Sequence, residues 1–226
     1  MLEEYKDIKK ILDNSKASGW VLEPDAKKIM EIMGLDVPGF VLTNSLESAR
    51  DFMKKQNQPV VAKAVSKKIL HKTEHNAVSL GISSSDYLEQ EFNRLKKLDG
   101  CENILIEEMV KGIELIIGAK NDFQFGPVIV FGLGGTSVEI YNDTAIRMAP
   151  LTERDVVSMV ESLKAKEIIS GYRGQQGVNM EALTRLLIKF SNFIMEFETA
   201  LQSIDFNPVI CTKDKCVIAD ARIILE

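Results

Sequence analysis

The sequence has few metal-binding or redox-active side chains and no long hydrophobic run. It contains three cysteines, two histidines and one tryptophan among 226 residues. The spacing of Cys101, Cys211 and Cys216 does not match a zinc site. No apolar run reaches the roughly 18 residues of a transmembrane helix, and the N-terminal segment lacks a signal-peptide core. We therefore expect a cytoplasmic protein with inert thiols and no membrane partner.

An excess of basic residues is also absent. The net charge is −5 and the isoelectric point is near 5.3, whereas nucleic-acid-binding domains usually have a basic surface. Nucleic acid is therefore not expected as a partner. The composition, 45% hydrophobic and 27% charged, is typical of one large globular domain or two small ones.

The C-terminal segment 203–226 predicts a β-hairpin. Two alternating apolar runs flank the polar turn 212–215. A turn centred between residues 213 and 214 places Asn207 opposite Asp220 and Asp205 opposite Arg222 on one face. The apolar face then pairs Ile204 with Ile223, Phe206 with Ala221 and Ile210 with Val217; Cys211 and Cys216 also oppose each other.

The polar face of this hairpin predicts a metal site. An amide and a carboxylate on directly opposed residues are close enough to share one Mg²⁺, which prefers oxygen ligands. Asn207 and Asp220 are the candidate ligands, whereas Arg222 is a simpler partner for Asp205. The alternative is a solvated Asp220 beside a surface salt bridge. Pro208 within the strand indicates an edge or a bulge.

The rest of the chain alternates helical and extended patterns, which predicts an α+β fold. Strands over 103–109 and 113–119 are separated by a tight turn, 110–112. A hairpin is expected around Asn142 and Asp143. The two last helices are predicted over 152–166 and 180–201, the first with a capping box formed by Thr152 and Asp155.

Several residues are candidates for binding a phosphorylated ligand. Lys63 lies inside an apolar strand, where its ammonium either binds phosphate or faces solvent. The chain around Glu107, Glu108 and Met109 can recognise the edge of a base, with Glu114 near a ribose. Gly134 and Gly135 end a strand, and their backbone amides either approach an anion or simply form a turn.

His71 is the candidate nucleophile. It lies in the basic loop Lys67-Lys68-Ile69-Leu70-His71-Lys72, and neutral imidazole accepts phosphoryl groups near pH 7. The alternative is a solvated side chain without a catalytic role. His75 is the rival, and only the neighbouring Leu70 favours His71.

Taken together, these motifs resemble the β subunit of ADP-forming acetate–CoA ligase, an ATP-grasp subunit of ADP-forming acyl-CoA synthetases. The resemblance extends from about Leu22 to Glu226. Each motif is weak alone, but their order and spacing are specific. They are Val61-Ala62-Lys63-Ala64-Val65-Ser66, Ile69-Leu70-His71-Lys72, Ile106-Glu107-Glu108-Met109, Val130-Phe131-Gly132-Leu133-Gly134-Gly135, Asp205-Phe206-Asn207-Pro208 and Ala219-Asp220-Ala221-Arg222.

The resemblance implies an ATP-grasp fold in which two subdomains enclose a nucleotide, with the C-terminal hairpin at the metal site. We expect an N-terminal helix and linker (1–19), a first subdomain with the His71 loop (20–109) and a second subdomain (110–226). The roles implied are phosphate binding by Lys63, adenine recognition by Glu107 to Met109, ribose recognition by Glu114, a transfer-site loop at Gly132 to Gly135, and Mg²⁺ binding by Asn207 and Asp220.

The implied activity is reversible conversion of acyl-CoA, ADP and phosphate to acid, CoA and ATP, with phosphoryl relay through His71. An α subunit holding the CoA and acid sites is the expected partner, in an α2β2 assembly. Family members often have a glycine pair after the histidine, which this chain replaces at His75-Asn76-Ala77. The alternatives are a succinate–CoA ligase subunit, disfavoured by the absent glycine-rich nucleotide loop, and a non-catalytic nucleotide-binding regulatory module.

Overall fold

The computed structural model describes residues 2–135, 143–174 and 176–226 and divides the chain into two units. The large unit comprises Met1–Val37 and Lys111–Glu226, and the small unit comprises Pro38–Val110. The predicted hairpin around residue 142 lies largely outside the described residues.

Helices and strands alternate along the described chain. The helices are α1 (Leu2–Ser15), α2 (Glu23–Ile32), α3 (Leu46–Lys55), α4 (Ser85–Leu95), α5 (Glu153–Ser162), α6 (Lys166–Ser170) and α7 (Met180–Glu196). The strands are β1 (Trp20–Val21), β2 (Phe40–Thr43), β3 (Val60–Ser66), β4 (Val78–Ile82), β5 (Cys101–Glu108), β6 (Ile113–Asp122), β7 (Gly126–Leu133), β8 (Thr144–Met148), β9 (Leu201–Cys211), β10 (Cys216–Ile218) and β11 (Ala221–Leu225).

The large unit is built on an antiparallel sheet. Among its described residues, seven strands form one sheet in the order β1-β11-β9-β6-β7-β8, and β10 also pairs with β9. One face supplies the hydrophobic core, where Ile117 of β6 and Phe206 of β9 are fully buried. The ring of Phe206 packs against Phe190 of α7 with centroids 4.8 Å apart. Because side chains alternate along a strand, the opposite face receives the polar residues of β6, β9 and β11.

The small unit has its own sheet and its own core. Within the described residues, its four strands follow the order β2-β5-β3-β4, and all pairings are antiparallel. Residues of α3 and α4, including Ala49, Leu88 and Phe92, pack against the sheet residues Ala62 and Ile106. Both sheets are antiparallel and segregated from their helices, so the α+β prediction is confirmed.

The N-terminal boundary of the small unit differs from the prediction. Residues 20–37 belong to the large unit rather than to the first subdomain. The cause is long-range pairing, since β1 adds to the edge strand β11 through Trp20 opposite Ile224 and Val21 opposite Ile223. The predicted boundary between residues 109 and 110 lies one residue from the observed one.

Three local predictions were wrong. Residues 110–112 do not form a hairpin turn, because β5 and β6 belong to different sheets and the unit boundary falls after Val110. The helix predicted over 152–166 ends at Ser162, since Leu163 is extended with ψ 140°, and the separate helix α6 follows. The helix predicted to end at residue 201 ends at Glu196, and Leu201 begins β9. The capping box of Thr152 and Asp155 is confirmed.

No helix in the described part of the chain is both long enough and apolar enough to cross a membrane.

Candidate functional site

The C-terminal hairpin has the predicted register. Ile204 lies opposite Ile223, Phe206 opposite Ala221, Asp205 opposite Arg222 and Ile210 opposite Val217. In the turn, the Thr212 hydroxyl accepts hydrogen bonds from the amides of Asp214 and Lys215, both at 3.2 Å. The guanidinium of Arg222 donates to Asp205 at 3.4 Å, so the predicted pairing of these two residues is confirmed.

The strand β9 bulges at Asn207 and Pro208. Leu115 of β6 pairs with Val209 whereas Ile117 pairs with Phe206, so two residues of β9 face one residue of β6. A bulge is a position where a central strand tolerates proline, and it redirects the neighbouring side chain. Asn207 is exposed on the polar face of β9, whereas Phe206 before it and Val209 after the bulge are fully buried.

The segment opposite this bulge contains Asp220. Residues 219 and 220 lie between β10 and β11, and the carbonyl oxygen of Pro208 accepts hydrogen bonds from the amides of Ala219 at 3.0 Å and Asp220 at 3.4 Å. The opposition of Asn207 and Asp220 is not itself a ladder pair. It stays a prediction, bracketed by the confirmed pairs on both sides.

The donor set at this position fits Mg²⁺. Burial raises the pKa of Asp205, the nearby Arg222 opposes that rise, and the negative charge of Asp220 adds to it. A cation here would relieve the repulsion between these two carboxylates. In the part of the chain that the structure describes, no group of three His, Cys, Asp or Glu side chains is arranged to hold a metal. Mg²⁺ typically takes one or two carboxylates and completes its shell with water and substrate phosphates.

Glu114 and the glycines after β7 lie together in the large unit. The amide of Gly134 donates to the Glu114 carbonyl at 2.6 Å. A Cβ at Gly134 would lie 2.9 Å from the Glu114 carbonyl carbon, so only glycine fits there. Gly135 has φ +71°, and its Cβ position lies 3.0 Å from Oε2 of Glu114. Glu114, Gly134 and Gly135, which were predicted as separate candidates, therefore form one cluster.

Lys63 and Glu107 form a buried ion pair in the small unit. Nζ of Lys63 lies 2.6 Å from Oε1 of Glu107, and the two side chains are 6% and 3% exposed. In the ladder Lys63 faces Leu105 and Val61 faces Glu107, so the pair is diagonal across β3 and β5. The alternative that Lys63 faces solvent is therefore wrong, and its ammonium has a carboxylate partner inside the sheet. Phosphate binding by Lys63 stays a prediction.

Glu108 and Met109 lead from β5 to the unit boundary. Oε1 of Glu108 accepts a hydrogen bond from the amide of Gly39 at 3.2 Å. The amide of Met109 donates to the carbonyl of Pro59 at 3.1 Å. Both hydrogen bonds connect the end of β5 to neighbouring segments of the small unit, so they hold the backbone of Glu108 and Met109 in place.

His71 lies in a loop between two buried residues. Ile69 is 8% exposed and Ala77 is fully buried, whereas the His71 side chain is 51% exposed. Nδ1 of His71 lies 3.7 Å from Oε1 of Glu74. That distance is too long for a hydrogen bond. The geometry makes His71 accessible for chemistry.

The two ends of this loop are fastened by side chains that the sequence analysis missed. At the first end, the Ser66 hydroxyl donates to the Asp99 carbonyl at 2.8 Å and accepts from the Lys68 amide at 3.0 Å. At the second end, Arg94 of α4 donates to the Asn76 carbonyl at 2.6 Å.

Asn76 has a backbone conformation that is typical of glycine. Its φ is +49°, in the left-handed region that asparagine tolerates better than most other non-glycine residues. Glu91 and Ser79 hold Arg94 in place: Nε donates to Glu91 at 2.9 Å and a terminal nitrogen donates to the Ser79 hydroxyl at 2.8 Å.

We expect a pH-dependent loss of stability in Glu91→Gln. The hydrogen bond from Arg94 lowers the pKa of the buried Glu91 below 4.5, the bond from Ser79 adds to this effect, and burial opposes it. A lowered folded-state pKa stabilises the fold above the unfolded-state pKa, and this contribution disappears as pH falls through the folded-state value. The variant should lose about 1–3 kcal/mol at pH 7, and urea unfolding should show the difference shrinking toward pH 4 and below.

The matched control is Glu89→Gln on the same helix. Glu89 pairs with Arg50 at 2.5 Å, but both side chains are substantially exposed, so the loss should stay within about 1 kcal/mol. A Glu91→Gln deficit that is unchanged between pH 7 and pH 4 would contradict the assigned cause.

Cys211 and Cys216 face each other across the hairpin, with Cα atoms 4.1 Å apart. This cross-hairpin placement agrees with the predicted register. Cys101 is a free thiol, and burial raises its pKa.

Comparison with known proteins identifies the class. The model of an ATP-grasp domain family matches residues 13–225, and the chain belongs to this family. The predicted ATP-grasp fold is thereby confirmed.

Full-length relatives narrow the assignment. The chain is 34% identical to the beta subunit of ADP-forming acetate–CoA ligase I of Pyrococcus furiosus, over 99% of this chain and 100% of that protein. Acetyl-coenzyme A synthetase 1 of Ca. Korarchaeum cryptofilum, solved with coenzyme A and Ca-AMPCP, aligns with a TM-score of 0.88 at 34% identity, covering 96% of this chain and 99% of that chain.

A second structure of the Korarchaeum enzyme contains Mg-AMPPCP, and its phosphohistidine segment points towards the nucleotide-binding site. It aligns with a TM-score of 0.83 at 33% identity, covering 97% of this chain and all of that chain. The relatives therefore agree with the resemblance drawn from the motifs.

Proposed function

We propose that this chain is the nucleotide-binding subunit of an ADP-forming acyl-CoA synthetase, with acetyl-CoA as a substrate. The enzyme converts acyl-CoA, ADP and phosphate to acid, CoA and ATP, reversibly. The observation that supports this most strongly is similarity over the whole chain to a beta subunit of ADP-forming acetate–CoA ligase. An α subunit provides the CoA and acid sites, and we propose an α2β2 assembly in the cytoplasm.

The proposed cycle is a phosphoryl relay. On the partner, phosphate displaces CoA from the acyl group and forms an acyl phosphate. The phosphoryl group passes to a histidine of the partner, which releases the acid, and then to His71. Finally the β-phosphate oxygen of ADP attacks this phosphorus, so that the P–N bond breaks as the new P–O bond of ATP forms. Catalysis of such transfers depends mainly on positioning and charge neutralisation.

Each unit supplies its own residues to this cycle. In the small unit, Lys63 binds nucleotide phosphate and the backbone of Glu107, Glu108 and Met109 recognises adenine. In the large unit, Glu114 binds the ribose, while Gly134 and Gly135 line the transfer site. Asn207 and Asp220 would hold Mg²⁺, which, when bound, neutralises phosphate oxygens.

Glu74 is suited to orient His71. A carboxylate beside Nδ1 favours the tautomer with its proton on Nδ1, which makes Nε2 the nucleophilic nitrogen. The distance of 3.7 Å between Nδ1 and Oε1 shortens to a hydrogen bond with a small rotation of either exposed side chain. The contact between Glu74 and His71 supports His71 as the phosphorylated residue.

We expect ATP synthesis only when the chain is mixed with an α subunit. Acetyl-CoA, ADP, phosphate and Mg²⁺ are supplied, and ATP is measured by luciferase. The chain alone should bind ADP but make no ATP, because the proposed CoA and acid sites belong to the α subunit.

Two outcomes would favour the alternatives. Nucleotide binding without turnover in any pairing would favour a regulatory module. Turnover with succinyl-CoA but not acetyl-CoA would favour a succinate–CoA ligase subunit. The relatives that match over nearly their whole length are chains of acetate–CoA ligase and acetyl-coenzyme A synthetase, which favours the acetate enzyme over both alternatives.

A further inference from the structure

Lys27 is a fully buried lysine in the middle of α2. Its side chain is 0% exposed, and its helix neighbours Ala26, Ile29 and Met30 are buried apolar residues. Nζ lies 3.4 Å from Oε1 of Glu23, whose side chain is 2% exposed. Taking two charges out of water is costly, and apolar residues often replace such pairs without loss of stability. A role other than stability is therefore a reasonable explanation for the pair.

The hydrogen-bond partner of Lys27 indicates that role. Nζ donates to the carbonyl oxygen of Ala219 at 2.9 Å, across 192 positions of sequence. Ala219 directly precedes Asp220, the candidate metal ligand. The lysine thus links α2 of the large unit to the segment that presents this carboxylate.

That segment lies outside the regular strand ladder. β10 ends at Ile218 and β11 begins at Ala221, so residues 219 and 220 take their orientation from other bonds. The carbonyl oxygen of Pro208 accepts from both of their amides on one side. Lys27 binds the Ala219 carbonyl from α2, which fixes the peptide group between Ala219 and Asp220.

We propose that Lys27, with its charge balanced by Glu23, is a positioning residue for Asp220 in the metal–nucleotide site. It acts through the Ala219 carbonyl and does not contact the ligand. The proposal rests on the assignment of Asn207 and Asp220 as Mg²⁺ ligands. Groups that orient a metal ligand from behind typically change metal affinity by about 10–100-fold.

The test measures how much Mg²⁺ strengthens ADP binding to the full chain. Calorimetry gives the ADP dissociation constant in EDTA and in Mg²⁺, and Mn²⁺ binding to the ADP-bound chain gives a second readout without turnover. The variant Glu23→Gln/Lys27→Met removes both charges and keeps the side-chain volumes. The metal-dependent gain is the factor by which Mg²⁺ strengthens ADP binding. In this variant it should fall by about tenfold or more, while ADP affinity in EDTA stays within about twofold of the wild-type value.

Lys189→Met is the matched control. Lys189 also donates to backbone carbonyls, those of Met33 at 2.9 Å and Gly34 at 3.2 Å, but these residues follow α2 and do not adjoin the candidate ligands. Its metal-dependent gain should equal that of the wild type. Glu23→Gln/Lys27→Gln, which retains amide donors, should show a smaller loss and replaces the Met variant if that chain does not fold.

The outcomes distinguish the positioning role of Lys27 from the assignment of Asp220 as a metal ligand. Asp220→Asn should abolish the metal-dependent gain, and adding Glu23→Gln/Lys27→Met to Asp220→Asn should cause no further loss. If Asp220→Asn abolishes the gain but both double variants keep it, the positioning role is wrong and the metal site stands. If Asp220→Asn itself keeps the gain, the metal assignment fails, and the role of Lys27 fails with it.

Discussion

His71→Asn is expected to abolish ATP formation while leaving ADP binding almost intact. The asparagine side chain is polar and of similar reach, but it has no nitrogen lone pair able to accept a phosphoryl group. With the partner subunit, the rate of ATP synthesis should fall by about a thousandfold or more, equivalent to roughly 4 kcal/mol in the barrier. ADP affinity should change by less than about twofold, because the side chain is half exposed on its loop.

His75→Asn is the control for this prediction. Both histidines belong to the same loop, four residues apart, so general disturbance of the loop should affect both variants alike. ³²P from labelled ATP should appear as an acid-labile label on the wild type and on His75→Asn but not on His71→Asn. A label that persists in His71→Asn and disappears in His75→Asn would assign the relay to the other histidine.

Lys63→Met is expected to cost both stability and nucleotide affinity. Breaking the buried pair leaves Glu107 without its 2.6 Å contact to Lys63, in a site where both side chains are below 10% exposed. Removing one member of a buried ion pair typically costs about 3–5 kcal/mol of unfolding free energy. Loss of a charge-assisted bond to phosphate should weaken ADP binding by about tenfold or more. Urea unfolding and calorimetry measure the two effects.

The double variant Lys63→Met/Glu107→Gln separates these roles. It removes the uncompensated charge, so most of the lost stability should return, but ADP affinity should remain low. Lys54→Met serves as the stability control, since its pair with Asp51 is exposed on both sides and contributes about 1 kcal/mol or less. If affinity recovers with stability in the double variant, Lys63 is only a structural partner of Glu107.

The accuracy of the sequence predictions depended on the range of the interactions involved. The hairpin register was predictable because a polar turn and a period-two pattern specify it locally. The tight turn predicted at residues 110–112 failed for a related reason. A short polar link between two strands has the same local pattern whether the strands pair with each other or, as here, join different sheets.

Side-chain partners were the least predictable part of the candidate site. Lys63 and Glu107 were predicted individually, but their ion pair depends on the diagonal register of β3 and β5. Arg94 reaches the Asn76 carbonyl from a helix 18 positions away, and no periodicity marks it. The sequence revealed which residue types were available for phosphate chemistry, but not which of them bind one another.

The amino-acid sequence by itself determined the α+β class, most element positions, the hairpin register and the family, because these depend on local pattern and motif order. Only the tertiary structure decided that residues 20–37 join the large unit, that Pro208 lies at a bulge of a central strand rather than on an edge strand, and that a buried lysine of α2 binds the Ala219 carbonyl. The physical reason is that a strand pairing or a buried hydrogen bond is specified jointly by two distant segments. Each segment alone is compatible with many partners, and only packing selects one.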